Sequence, residues 1–165
     1  AAPVTLQGLE VLRALAREYS AHPLALGKAI QVDKASENVA VLADYTLLRR
    51  VIVNMVMNAL EASPAGGTVV AGLRREKRQA VFWVSNDKAM PEEVKLQVFK
   101  RSFSTKGTAR GLGTYSMRLL GERYLGGKVS FSSDASSGTT FSIRLPLRPA
   151  VAAAGAAGAA RRAHA

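Results

Sequence analysis

Tyr45-Thr-Leu-Leu-Arg-Arg-Val-Ile-Val-Asn54-Met-Val-Met-Asn58-Ala-Leu-Glu61-Ala-Ser63 is the longest helical pattern in this sequence, and Pro64 with the Gly66-Gly67 pair ends it. On a wheel of about 100° per residue, Leu48, Val51, Ile52, Met55 and Ala59 share one broad apolar face that belongs in a core. Asn54, Asn58 and Glu61 fall in a narrow stripe beside it. Two amides and a carboxylate so aligned suit a hard, hydrated divalent cation such as magnesium, with phosphates and waters completing its shell. The same stripe, taken alone, is also ordinary helix surface.

Upstream, Val4 to Tyr19 carries Leu6, Leu9, Leu12, Leu15 and Ala16 at helical spacing, which predicts one amphipathic helix broken at His22-Pro23. Lys28 to Asp33 and Asn38 to Ala43 read as two short strands around a polar turn. Downstream, Thr68 to Arg75 and Gln79 to Asn86 form a hairpin turning through Glu76-Lys77-Arg78. Its second arm contains Ala80-Val-Phe-Trp-Val84, continuous apolar residues that predict a central strand buried on both faces. Pro91-Glu92-Glu93 opens a helix, with proline in the first turn and acids at the positive dipole end. A further helix is expected from about Thr114 to Tyr124, then a hairpin of Lys128 to Ser133 and Thr139 to Leu145. Strand pairs alternating with helices predict one mixed sheet with helices on one face, a two-layer α+β sandwich. It forms a single domain over residues 1–148, and the Ala/Gly-rich residues 149–165 are expected to be a disordered tail.

A second cluster precedes the Thr114 helix. Gly107, Gly111 and Gly113 allow close backbone approach to an anion, and a helix N-terminus adds unpaired N–H groups. Ser104, Thr105, Lys106, Arg110 and Thr114 add hydroxyls and two positive charges around Leu112. The pattern is neither a P-loop nor a dinucleotide fingerprint. Elsewhere, the apolar strand ends at Ser85-Asn86-Asp87, where Asn86 can accept from an exocyclic amine such as that of adenine. Ser137-Gly138-Thr139 opens the last strand and can set Thr139 beside Asn86.

Composition narrows the classes. The chain has 165 residues, a hydrophobic fraction of 48% and a charged fraction of 21%, as globular proteins do. Without cysteine it has neither disulfides nor thiolate metal sites. No apolar run approaches the roughly 18 residues of a membrane span, which fits a cytoplasmic domain, free or as part of a membrane-anchored protein. An N-terminal Ala1 in place of methionine suits a piece of a longer chain. The net charge of +11 reads first as a basic solvated surface, and no nucleic-acid partner is expected.

Taken together and in order, these pieces resemble the GHKL ATPase superfamily, named for gyrase, the ninety-kilodalton heat-shock chaperone, histidine kinases and the MutL mismatch-repair proteins. Val41 to Tyr45 followed by Leu47 to Ala62 resembles the approach strand and N box of bacterial sensor histidine kinases. Phe99-Lys-Arg-Ser-Phe103-Ser-Thr-Lys106 resembles their F box, Gly111-Leu112-Gly113 the second glycine box, and Gly138 to Pro146 the closing strand. The resemblance implies a Bergerat-type fold and an ATP-binding catalytic domain.

By that resemblance Asn58 is the magnesium ligand, and Asn54 faces the phosphates or their waters. Asn86 stands for the family's adenine-accepting aspartate, with Asp87 one residue on as the alternative, and Thr139 supports the contact. Ser104 to Gly113 correspond to the ATP lid, with Lys106 and Arg110 on the phosphates, and Lys100 to Arg110 are expected to be mobile until ATP binds. The first glycine box departs from the family, since Asn86-Asp87-Lys88-Ala89-Met90 contains no glycine. Neither His22 nor His164 has the acidic-flanked setting of a phosphoacceptor, so both are read as structural or incidental. The implied partners are a separate histidine-bearing dimerisation domain and, through it, a response-regulator receiver domain. No catalytic residue is assigned within this stretch. The alternative is a member of the same fold that binds nucleotide weakly or docks a partner without catalysis.

Overall fold

The computed structural model describes residues 2–100 and 108–147, except for the side chains of residues 108–112. The expected tail, and Ser104, Thr105, Lys106 and Gly107 of the glycine-rich cluster, lie outside the described residues. Along the chain run β1 (Val4–Gln7), α1 (Gly8–Ser20), a 3-10 turn (Pro23–Ala25), β2 (Ala29–Val32), β3 (Ala40–Ala43) and α2 (Tyr45–Ala62). They are followed by β4 (Thr68–Glu76), β5 (Gln79–Asn86), α3 (Glu92–Lys95), α4 (Thr108–Arg118), a π-helical segment (Leu119–Tyr124), β6 (Lys128–Asp134) and β7 (Gly138–Pro146).

Five strands form one mixed sheet in the order β2-β4-β5-β7-β6, parallel only between β2 and β4. Alternation decides its faces. Val69, Ala71 and Leu73 of β4, Ala80, Phe82 and Val84 of β5, and Phe141, Ile143 and Leu145 of β7 all point to one buried face. Against it pack Leu9, Leu12 and Leu15 of α1 and Leu48, Val51, Ile52, Met55, Val56, Ala59 and Leu60 of α2. The two-layer sandwich is therefore as expected, with β5 at its centre.

The opposite face of β5 is not buried by a second helical layer. Val81 is buried there between Arg74 and Arg144 in the ladder, and both guanidinium groups reach Glu76. Trp83 is only half-buried and lies over Gly72, where a Cβ would meet the indole ring at 2.2 Å. The continuous apolar run thus reflects one helical layer plus a face covered by long side chains, whose stems shield apolar surface.

The helix expected over Val4 to Tyr19 begins only at Gly8, because Val4–Gln7 pairs with Ala40–Ala43 in a separate two-stranded antiparallel sheet. Hence β2 and β3, adjacent in sequence, belong to different sheets. Asn38 explains where α1 starts. Its Oδ1 accepts from Leu9 N–H at 3.1 Å and its Nδ2 donates to Gln7 Oε1 at 2.7 Å, so the helix is capped from a distant loop. The α4 helix also starts earlier than expected, at Thr108 instead of Thr114, and passes through Gly111 and Gly113. Among the described residues, no helix is long and apolar enough to cross a membrane.

Candidate functional site

The α2 stripe is set by the cap that fixes the helix start. Asp44 sits at the N-cap and its side chain accepts from Leu47 N–H at 3.1 Å. With the apolar face turned inward, Asn54, Asn58 and Glu61 come out half-buried along its border. Asn54 Nδ2 donates to the Gly113 carbonyl of α4 at 3.3 Å, which ties the stripe to the second glycine motif. Among the described residues, a Cβ at Gly113 would meet nothing within 4 Å.

At the other end of the stripe lies the close of the central strand. Asn86 is 4% exposed, and its Nδ2 points at the Ala59 carbonyl of α2 at the long distance of 3.5 Å. Ala59 follows Asn58 directly, so the strand end and the stripe meet on adjacent helix residues. The strand register puts Thr139 opposite Asn86 and Ser133 opposite Thr139, a row across β5, β7 and β6 on the helix-facing side. Asp87, by contrast, is exposed.

Gly138 brings the β7 start against that strand end. Its φ is +77°, and a Cβ there would lie 2.1 Å from the Asn86 carbonyl oxygen, so only glycine fits. Thr139 Oγ1 donates to the Lys88 carbonyl at 2.7 Å and lies 2.8 Å from Ser133 Oγ, which accepts from Met90 N–H at 2.7 Å. A carbonyl only accepts and an amide N–H only donates, so the ends fix the direction: Met90 to Ser133 to Thr139 to Lys88. Thr139 has then given its hydrogen, and towards a ligand it can only accept.

The earlier start of α4 changes the expected anion site. The amides at the start of a helix have no acceptor within it, so among the described residues the helix-end N–H groups are those of residues 108–110. The amides of Leu112, Gly113 and Thr114 lie inside the helix, and Thr114 is buried. Packing outweighs the roughly 1 kcal/mol that each interior glycine costs. Met117 of α4 is fully buried in the core, and Asn54 holds the Gly113 carbonyl.

Just before the residues expected to form the lid, Phe99 anchors the chain. It has a φ of +77°, sits edge-on to Phe131 and Phe141, and carries the Arg118 guanidinium 5.3 Å from its ring centre. Ser133 and the backbone contacts of Lys88 and Met90 escape sequence reasoning, which marks Gly138 only as the opening of the last strand. No local signal marks them, because the relay joins the Ser133–Thr139 hairpin to a segment 43 and 51 residues away.

Residues 43–149 match the family described as histidine kinase-, DNA gyrase B- and HSP90-like ATPases. The chain belongs to this ATPase family. Among its relatives is Sporulation kinase C of Bacillus subtilis, 32% identical over 117 residues that make up 70% of this chain and 27% of the relative. The chain thus spans well under half of that kinase. The catalytic domain of histidine kinase ThkA, in a nucleotide-free form, is 26% identical, with a TM-score of 0.78 and coverage of 90% of this chain and 100% of that one. ThkA in complex with the response regulator TrrA, 23% identical with a TM-score of 0.74 over 89% of this chain and 42% of that one, shares the fold.

Proposed function

We propose that the chain binds magnesium–ATP along α2, with the base at Asn86 and Thr139 and the phosphates towards Asn58, Asn54 and the start of α4. The observation that carries this reading is the meeting of Asn86 with Ala59, next to Asn58, while Asn54 reaches Gly113 one turn away. One helical turn, about 5.4 Å, then separates a base-reading end from a phosphate end. Asn86 turns its amide nitrogen to Ala59, which leaves Oδ1 as the ligand-facing acceptor, and Thr139 can only accept. Two acceptors suit the exocyclic amine of adenine and oppose the carbonyl that guanine places there.

The donor set fits magnesium in a limited way. Among the described residues no cluster of three or more His, Asp or Glu can enclose a metal. Asn58 supplies one neutral oxygen, so the remaining positions fall to phosphate and water, the coordination magnesium favours. The bound ion would neutralise phosphate charge. Lys106 and Arg110, with the amides between Ser104 and Gly111, would contact the phosphates from the lid side.

The activity that follows is transfer of the γ-phosphoryl group to a histidine nitrogen on a separate dimerisation domain. The P–O bond to ADP breaks and a P–N bond forms, while this chain positions the nucleotide and balances its charge. Support comes from the sensor-kinase relatives, and the ThkA–TrrA complex supports a response regulator as the downstream partner. Titration calorimetry tests the binding step. Magnesium–ATP should bind the wild-type chain, GTP should bind at least about tenfold more weakly, and Asn86→Ala should weaken ATP about tenfold, the worth of one well-made hydrogen bond. Asn58→Ala should abolish the dependence on magnesium. No heat at millimolar magnesium–ATP would overturn the reading in favour of a non-catalytic docking module, to which the glycine-free Asn86–Met90 segment points.

A further inference from the structure

We propose that Ser133 is a positioning residue for the base end of the site, holding the glycine-free segment Asp87–Met90 in the shape that nucleotide binding needs. This rests on the nucleotide reading above. A segment rich in glycine can fold back beneath a ligand because its backbone is permissive. Here Asp87, Lys88 and Ala89 are exposed ordinary residues, so something else must select one conformation.

The hydroxyl relay does so at two points. It fixes the Lys88 carbonyl through Thr139 at 2.7 Å and the Met90 amide through Ser133 at 2.7 Å, with the two hydroxyls 2.8 Å apart. Both hydroxyls stand on the helix-facing row with Asn86, so the clamp is continuous with the residue that reads the base. Gly138, pressed against the Asn86 carbonyl, closes the other side. Removing the Ser133 hydroxyl leaves Met90 N–H without its acceptor and Thr139 without its donor. The segment then samples more conformations, and binding must reorder it.

The strand offers its own control. Ser130 of β6 makes a comparable cross-strand hydroxyl contact, 3.2 Å from Ser142, on the opposite face and away from Asp87–Met90. Magnesium–ATP affinity should be measured on wild type, Ser133→Ala, Ser133→Thr and Ser130→Ala, together with amide exchange at Met90 in nucleotide-free protein. Ser133→Ala should weaken ATP roughly three- to tenfold, the range for losing one hydrogen bond, and should speed Met90 exchange. Ser133→Thr should restore both, and Ser130→Ala should change neither. Equal affinity and unchanged Met90 exchange in Ser133→Ala would overturn the inference, as would an equal loss in Ser130→Ala. If wild type itself fails to bind ATP, the nucleotide reading falls and this one with it. ATP binding that is indifferent to Ser133 defeats only this one.

Discussion

At Asn86, proposed to accept from the base, the surroundings suit an amide. Its Nδ2 faces the Ala59 carbonyl, which also accepts from Ser63 Oγ at 2.8 Å. An Asn86→Asp variant would set a carboxylate oxygen against that carbonyl in a place that is 4% exposed. Acceptor would face acceptor with no donor supplied, so the nucleotide-free variant should lose about 1–3 kcal/mol, the cost of an unsatisfied buried group. Once ATP binds, the adenine amine donates to a charged acceptor, and such bonds are about twice as strong as neutral ones. Thermal melts with and without magnesium–ATP should show a lower midpoint for free Asn86→Asp and a larger ligand-induced rise than in wild type. Equal midpoints without nucleotide would show that Ala59 does not discriminate. The pairing of Asn86 with Thr139 is legible in the sequence, since each lies at the end of a recognisable strand. The tie from Thr139 to Lys88 is not, because nothing local marks which carbonyl a threonine will meet.

At the level of elements, local signals read correctly wherever the structure is local. The α2 helix carries its own cap, periodicity and terminator, and the β4–β5 hairpin turns through two residues where Lys77 has a φ of +55°. The reading failed where a partner is distant: β1 is a strand because β3 pairs with it, and α1 starts where Asn38 caps it. The β6–β7 turn is local and tightly built. Asp134 accepts from the Ser137 hydroxyl and amide at 2.8 and 2.7 Å, and from the Ser136 hydroxyl and amide at 2.8 and 2.9 Å. Led by the Ser137 hydroxyl, these donors lower its pKa from 3.8 to about 2. A carboxylate with a depressed folded pKa adds stability that is complete above its unfolded value and disappears as pH falls through the folded one. Urea unfolding of wild type and Asp134→Ala should therefore differ by a constant amount above about pH 4 and converge towards about pH 2. A gap independent of pH across that window would mean that the turn does not depend on the charge. The lowered carboxylates Glu76 and Glu122 are present in both proteins and cancel in the comparison.

For the molecule as a whole, the deciding question is where the phosphoryl group goes. The chain has two histidines, His22 and His164. His22 already has a structural role: its Nδ1 accepts from Leu24 N–H at 3.0 Å to cap the 3-10 turn, and its ring stacks on Tyr19 with centroids 5.6 Å apart. Its neighbours are Ala21 and Pro23, so no carboxylate beside it in sequence can take the proton that a nucleophilic imidazole must release. His164 lies between two alanines and outside the described residues. On the proposed function, ATP held on this chain passes its phosphoryl group to a histidine on a separate domain. Incubated with magnesium and γ-labelled ATP, the chain alone should gain no acid-labile, alkali-stable phosphate. Addition of a two-helix dimerisation segment carrying a histidine followed by an acidic residue should produce such label on that segment. Asn58→Ala should abolish the transfer, and His22→Gln should not, since glutamine can still accept from Leu24. Rapid stoichiometric labelling of the isolated chain on histidine would refute the division of labour between two domains. Failure of transfer with ATP demonstrably bound would place the chain among members of the fold that bind nucleotide without passing it on.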